Sequence, residues 1–195
     1  VRSVRRLLVN YREVADWNIG PALETETFAT EKTYDALNRP IALTMADDSR
    51  IQPTYNVTGL LERVEVNLRG ADEATVFVNN IDYDAKGQRE LIEYGNGVST
   101  NYTYERETFR LHHLSTLRGN EALQDLSYTY DPVGNVTSIR DDAQQATFFN
   151  NQVVDANAEY IYDSIYRLIE TSGREHIGQA ALPQTTWNDE FRIRL

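Results

Sequence analysis

Six times along the chain a tyrosine is followed at once by an acidic or amide residue, and in most copies a Gly or Asn stands four positions after the tyrosine. The clear copies are Tyr34-Asp35-Ala36-Leu37-Asn38, Tyr83-Asp84-Ala85-Lys86-Gly87 and Tyr130-Asp131-Pro132-Val133-Gly134, with Tyr55-Asn56-Val57-Thr58-Gly59 as a fourth. Tyr104-Glu105 and Tyr162-Asp163 keep the opening pair but place Thr108 and Tyr166 where the glycine would stand. Unit starts lie 21, 28, 21, 26 and 32 residues apart, so length varies while the motif stays. A recurring unit of this size implies a stacked repeat architecture. Such arrays make surfaces, scaffolds or enclosures more often than single catalytic pockets.

Each motif position has a physical reason. The tyrosine offers a large apolar body with a polar tip, suited to a half-buried strand position where its hydroxyl reaches a partner. The Asp accepts hydrogen bonds from backbone amides two residues on and closes an Asx-type turn. Gly then supplies positive φ without a Cβ penalty, and Asn38 is the next most tolerant residue. Short apolar strands follow: Leu37–Ile41, Leu60–Val64, Val136–Ile139 and Leu168-Ile169. Between motifs, Gly95-Asn96-Gly97, Ala46–Ser49 and Asp141–Gln145 separate β-prone runs and predict hairpins. In Asn101-Tyr102-Thr103-Tyr104 and Ser127-Tyr128-Thr129-Tyr130 the aromatics fall on one face. The expected fold is all-β, an array of antiparallel hairpins forming a curved sheet.

The first residues differ. Val4, Leu7, Leu8 and Tyr11 fall at helical spacing among Arg2, Arg5, Arg6 and Arg12. This reads as a short helix ended by Trp17–Pro21, or equally as a strand entering the sheet.

Little in the chain points to catalysis. There is no cysteine and only three histidines. His112 and His113 are adjacent, so on a strand they point to opposite faces and share an ion poorly. Arg174, Glu175 and His176 allow an acid–base set on paper, yet a lone His beside a Gly-rich turn is more often structural. The pairs Asp47-Asp48 and Asp141-Asp142 sit in expected turns, whereas glycoside hydrolysis needs two carboxylates facing across a cleft. No phosphate loop, nucleophile elbow or zinc-protease motif occurs. No catalytic, cofactor-binding or metal-ligating residue is therefore assigned, and no cofactor is implied. The formal net charge of −11 argues against nucleic acid as a partner; it serves solubility or keeps an enclosed polypeptide off a wall. No apolar stretch approaches the ~20 residues needed to span a bilayer. Three Asn-x-Thr sequences, at Asn56, Asn101 and Asn135, matter only in a eukaryotic secretory pathway.

The Tyr-Asp units resemble YD repeats, the building block of the RHS family. Trp17 with Ala22–Phe28 and Tyr34–Pro40, Tyr94-Gly95-Asn96-Gly97-Val98, Phe148–Val154 and the run Tyr162–Gln179 are similar to the RHS portion of Tc insecticidal toxin complexes, in the B component or B–C fusions. The resemblance covers nearly the whole chain. It implies part of a larger β-cocoon, a strip of hairpins that encloses a toxic C-terminal polypeptide and docks on a pore-forming partner. The implied partners are the remainder of the shell, its enclosed toxin and the pore-forming component; the implied setting is secreted or extracellular. No nucleic acid and no membrane insertion by this segment are implied.

The resemblance divides the chain into an N-terminal segment (1–30), the repeat array (31–172) and a further shell segment (173–195). The repeat-defining residues are Tyr34, Asp35, Asn38, Tyr55, Gly59, Tyr83, Asp84, Gly87, Tyr104, Tyr130, Asp131, Gly134, Tyr162 and Asp163. The chain starts at Val1 without Met and ends in Phe191-Arg192-Ile193-Arg194-Leu195, which reads as cut mid-strand, so exposed edges and edge-to-edge self-association are expected. The family's self-cleaving region pairs two Asp-Pro-x-Gly motifs; the one copy here, Asp131–Gly134, lies within a repeat and reads as structural. A second reading is a cell-surface adhesive or carbohydrate-binding module, because YD repeats also occur in teneurin-like proteins and exposed Tyr and Trp stack on sugars. Aromatic exposure, near Trp17 or Trp187 in particular, discriminates the two. A third, an enzyme activity within Gly173–Leu195, has no residues to carry it.

Overall fold

The computed structural model describes residues 1–149, 152–173 and 191–194. Most of the motif residues lie within them; Arg174, Glu175, His176 and Trp187 lie outside the described residues. The chain divides into two compact units, Val1–Asp82 with Glu93–Asn96, and Tyr83–Ile92 with Gly97–Leu195.

Unit 1 is a meander of β1 (Arg2–Arg5), β2 (Phe28–Tyr34), β3 (Pro40–Thr44), β4 (Arg50–Tyr55), β5 (Leu61–Asn67) and β6 (Thr75–Tyr83), each hydrogen-bonded to the next. Unit 2 runs through β7 (Arg89–Tyr94), β8 (Val98–Tyr104), β9 (Leu111–Arg118), β10 (Glu121–Tyr130) and β11 (Val136–Asp141). A hairpin of β12 (Thr147–Phe149) and β13 (Gln152–Val154) then leaves the sheet, and β14 (Asn157–Tyr162), β15 (Leu168–Gly173) and β16 (Phe191–Arg194) complete it. The registered pairs are antiparallel, as the hairpin signals predict.

Three expectations need correction. The helical reading of Val4, Leu7, Leu8 and Tyr11 does not hold. Arg2–Arg5 pairs with Phe28–Glu31, and Leu8 bridges Leu23. The stripe has nothing to bury against, since Val4, Leu7 and Tyr11 are all exposed, and an amphipathic helix draws its stability from such packing. Leu37-Asn38-Arg39 belong to the turn, and β3 starts at Pro40. Asp141–Gln145 does not close a hairpin between β11 and β12, because β14 takes the place beside β11. The end of β11 is tied elsewhere: the Asp142 amide bonds the Asp125 carbonyl at 2.8 Å, and Asp141 Oδ1 accepts from the Asp125 and Ala143 amides.

The pairing registers sort side chains by face. In unit 1, Leu43, Ile51 and Val66 align, as do Pro53, Val64 and Val78. The other face carries Thr44, Arg50, Asn67, Gln52 and Glu65, where Gln52 Nε2 donates to Asn67 Oδ1 at 2.9 Å and Arg63 Nη1 to Asn79 Oδ1 at 2.8 Å. In unit 2, Tyr102, Leu114 and Leu126 share one face with Tyr128 and Ile139, opposite Thr103, His113, Ser127 and Arg140. One apolar and one polar face is the usual pattern of an antiparallel sheet. Among the described residues, the buried apolar side chains are Val66, Ile81, Ile92 and Val98, and none is fully enclosed.

Within unit 1, Gly95 is a packing requirement. Its amide donates to the Phe77 carbonyl at 3.1 Å, and a Cβ at this position would lie 1.8 Å from the Val76 carbonyl oxygen. Gly97 has positive φ but open space around it. Gly95→Ala is therefore expected to lower stability by roughly 1–3 kcal/mol through overpacking against backbone, and Gly97→Ala by about 1 kcal/mol through strain alone. Urea denaturation of the two variants checks the order.

Candidate functional site

The motif turns are the feature repeated most faithfully. In each, the residue after the tyrosine exchanges backbone hydrogen bonds across a tight loop. The Asp35 amide donates to the Arg39 carbonyl at 3.0 Å, and the Asn38 amide donates back to the Asp35 carbonyl at 3.1 Å. Asn56 with Leu60 and Gly59, Asp84 with Gln88 and Gly87, Asp131 with Asn135 and Gly134, and Asp163 with Arg167 and Tyr166 repeat the pattern. The side chain completes it. Asp35 Oδ1 accepts from the Leu37 and Arg39 amides, both at 2.9 Å, and Asp84, Asn56 and Asp163 accept from the same two relative positions. Asp131 Oδ1 accepts from Gly134 at 2.7 Å and from Asn135, four residues on, at 2.9 Å.

The fourth residue after tyrosine adopts positive φ at Asn38, Gly59, Gly87, Gly134 and also Tyr166, whose φ is 65°. The absence of glycine from the Tyr162 unit thus leaves the turn unchanged, at the cost of a left-handed bulky residue. The Tyr104 unit departs. Thr108 does not take this conformation; the loop is one residue longer, and Phe109 has positive φ. Tyr104 pairs in register with Leu111, seven residues on, whereas Tyr34, Tyr55, Tyr130 and Tyr162 pair six residues on with Pro40, Leu61, Val136 and Leu168. Within this longer loop the Thr108 hydroxyl donates to the Glu105 carboxylate.

The tyrosines join one hairpin to the hairpin before it. Tyr55 Oη donates to the Pro40 carbonyl at 2.8 Å, Tyr104 to Arg89 at 2.9 Å, Tyr130 to Leu111 at 2.7 Å and Tyr162 to Val136 at 2.9 Å. The ladder register shifts beside each tyrosine just named. A bulge of this kind interrupts ladder bonding, and the register partner of one tyrosine is the carbonyl acceptor for the next. Burial pushes the Tyr104 and Tyr130 hydroxyls above their ordinary pKa, so they remain neutral donors.

Arginines add a second link. The Arg39 guanidinium forms a fork with its own Asp35, Nη2 to Oδ2 at 2.7 Å, and lies over the Tyr55 ring at 4.6 Å. Arg110 lies over Tyr130 at 5.6 Å and donates to the Asp131 carbonyl at 3.0 Å. A Cβ on Gly134 would meet Arg110 Nη2 at 2.8 Å, so this glycine serves both the loop's positive φ and the arginine seat.

Other candidates are not assembled into a reactive group. Asp47 Oδ1 accepts from the Ser49 amide, Asp141 Oδ1 accepts from the Asp125 amide on β10, and Asp142 pairs with Arg140 at 2.6 Å, so both acidic pairs are engaged in structural bonds. His113 Nε2 contacts Asp125 Oδ1 at 2.5 Å across β9 and β10, a pair that sequence reasoning missed. Only the register, which places Ser127 opposite His113 and so Asp125 diagonal to it, reveals the pair. Among the described residues no group of three or more metal-ligating side chains occurs, and no helix is long and apolar enough to cross a membrane.

Comparison with known proteins places this geometry. The toxin subunit YenC1 of Yersinia entomophaga is 40% identical over 168 residues, covering 83% of this chain and 17% of that protein. YenC2 of the same organism is 38% identical over 189 residues, covering 89% and 19%. The Photorhabdus luminescens Tc holotoxin pore structure superposes with a TM-score of 0.72 at 36% identity, over 88% of this chain and 8% of that one. The chain is of the Tc toxin RHS-shell type. A TcdB2–TccC3 crystal structure agrees, with a TM-score of 0.75 and 35% identity over 98% of this chain and 10% of that one. No family model matches the sequence. The chain spans less than a fifth of the length of these toxin-subunit relatives.

Two outcomes follow from the turn geometry. Tyr130→Phe removes a half-buried hydroxyl from a carbonyl, so a loss of about 1 kcal/mol is expected, against a smaller loss for Tyr34→Phe, where the ring is more exposed; equilibrium urea titrations measure both. The second concerns acid. The Arg39 and Arg167 amides hold the Asp35 and Asp163 carboxyls below their ordinary value, and Asp131 is lowered as well, where burial opposes the larger combined effect of Asn135 and neighbouring amides. A depressed folded pKa contributes stability above the unfolded value of about 3.9, lost as pH falls through the folded one. Melting curves should therefore drop between pH 5 and 3 (both on the order of the carboxylate range), and less steeply in a D35N/D131N/D163N variant. Asn56 already makes the same turn uncharged. An identical slope in the variant would remove these carboxylates from the account.

Proposed function

We propose that this chain is a segment of the wall of a Tc toxin shell, and that the wall encloses a toxic polypeptide until it is delivered into a target cell. The observation that carries this reading is the way repeats are joined, with the hairpins of Tyr55, Tyr104, Tyr130 and Tyr162 each bonded to an earlier strand through the tyrosine hydroxyl and a backbone carbonyl. Such an array extends one hairpin at a time without a central core, and its stability is a sum of local and nearest-neighbour contributions. That is a design for a wall.

The proposed role is non-enzymatic, and the repeat-defining residues are proposed to act structurally. The proposed partners are the remainder of the shell, an enclosed C-terminal toxin and a pore-forming component, acting outside the producing cell. The net charge of −11 fits neither nucleic acid nor an anionic membrane surface as partner. The adhesive reading asked for a row of exposed aromatic rings. The tyrosines that stitch hairpins together are half-buried instead, and Trp17, 68% exposed, stands apart from them on the β1–β2 connection.

Limited proteolysis of the longer protein that carries this chain, native and after acid unfolding, tests enclosure by intact mass. A fragment protected in the native particle and digested after unfolding is the expected result. Uniform digestion in both states would sink the enclosure reading.

A further inference from the structure

The loop Gly95-Asn96-Gly97 holds the one Asn-Gly step in the sequence. All three residues are exposed and lie between strands, and Gly97 has a positive φ of 80°. No atom comes within 4 Å of the position a Cβ on Gly97 would take, so no packed side chain shields the loop there. Other asparagines are placed differently. Asn38 and Asn56, both in motif turns, precede Arg39 and Val57, and Asn56 Oδ1 is fixed by the Thr58 and Leu60 amides at 3.0 Å. Asn101 is exposed too, but it sits within β8 and precedes the bulky Tyr102.

An asparagine carboxamide can close a five-membered ring with the next peptide nitrogen. The Gly97 nitrogen, giving up its proton to solvent base, bonds to Asn96 Cγ; the Cγ–Nδ2 bond breaks, and ammonia leaves with a proton taken from solvent. Holding both groups in one chain removes the entropic cost of bringing them together. A side chain on the following residue crowds that approach. Glycine presents none, and its freedom in φ eases the rotation that ring closure requires. Water then opens the succinimide. Attack at the Asn96 main-chain carbonyl leaves an isoaspartyl link, with the chain running through Cγ, and attack at Cγ leaves aspartate. The reaction needs only solvent.

We infer that Asn96-Gly97 is a site of spontaneous modification, at which the folded chain loses ammonia and acquires isoaspartyl and aspartyl forms, the isoaspartyl form loosening the start of β8. The flanks of the loop give the reason for the loosening. The Gly95 amide is bonded to the Phe77 carbonyl at 3.1 Å, and even a Cβ on Gly95 would collide with the Val76 carbonyl oxygen. Val98 is buried and in register with Arg118, and the buried Thr100 shares a 2.9 Å hydroxyl bond with Thr116. An isoaspartyl link adds one methylene to the main chain and one carboxylate to an already acidic protein. With Gly95 held, the added length falls on Gly97 and Val98. The inference does not depend on the enclosure of a cargo.

Ageing the 195-residue chain in mildly alkaline and mildly acidic buffer, followed by peptide mapping, tests this. Trypsin cuts after Arg89 and Arg106, so Asn96 and Asn101 report in one peptide and Asn101 is the internal reference. Conversion is read as a gain of one mass unit, with fragmentation that tells isoaspartate from aspartate. At Asn96 it should exceed that at Asn101 by roughly ten-fold or more, and it should be faster in the alkaline buffer. Asn96→Asp supplies the aspartyl form directly and separates added charge from added length. Amide hydrogen exchange from Val98 to Thr100 should be faster in the isoaspartyl fraction than in fresh chain or in N96D. Equal conversion at Asn96 and Asn101, or conversion at Asn96 only after urea unfolds the chain, would overturn the site. Unchanged exchange in the isoaspartyl fraction would overturn the loosening.

Discussion

The structure depends on one coupling, seen three times: the bulge beside a motif tyrosine and the hydroxyl of the next tyrosine. Tyr104 pairs with Leu111 across its own turn, and the Leu111 carbonyl then accepts Tyr130 Oη. Tyr130 pairs with Val136, whose carbonyl accepts Tyr162 Oη. Tyr34, Pro40 and Tyr55 are related in the same way. A buried carbonyl left without a ladder partner is costly, so the turn that creates the bulge also creates the demand that the next repeat meets. Repeats joined like this specify their neighbours' register without a shared core.

The energetics follow from that arrangement. Each hydroxyl bond contributes on the order of 1 kcal/mol, and no described side chain is fully enclosed. Stability therefore accumulates along the strand order, through ladder bonds, cross-strand pairs such as Leu114 with Leu126, and the Arg39 and Arg110 contacts with the next tyrosine. A lesion in one hairpin acts mainly on the hairpins beside it. The glycines illustrate this locality: Gly134 seats an arginine from the previous hairpin, and Gly95 admits the backbone of the strand carrying Val76.

Much of this was legible in the sequence, because the turn is a local object. Asp35, Asn56, Asp84 and Asp163 accept from amides two and four residues away, within reach of a motif read from consecutive residues. What escaped depends on pairing at a distance. The tyrosine acceptors lie 15, 15, 19 and 26 residues upstream, because loop and strand lengths differ from unit to unit. A constant geometric relation therefore has no constant sequence spacing. Phe109 took the place anticipated for Thr108 because one inserted residue shifted the loop, and no local signal distinguishes the two. At residues 141–149 the turn residues suggested a hairpin, yet β14 takes the place beside β11 and β12 pairs with β13 outside the main sheet. Local propensity names a turn; tertiary bonding decides which strands it joins.

Because the bonds between repeats run from tyrosine hydroxyls to backbone carbonyls, the side chains on the two sheet faces carry little of the task of holding register. Those faces are nonetheless unlike. In unit 1 one face aligns Leu43, Ile51 and Val66 and the other carries Gln52 with Asn67 and Arg63 with Asn79; in unit 2 one face aligns Tyr102, Leu114 and Leu126 and the other carries His113 with Asp125, each polar pair already bonded. Polar groups satisfied in pairs have little left to offer a guest, while an apolar face is non-directional and accepts many. The same motif can thus keep its register while face residues change, provided the tyrosine, the turn acceptor and the positive-φ residue stay. An array built on this principle separates the chemistry that holds it together from the chemistry it presents.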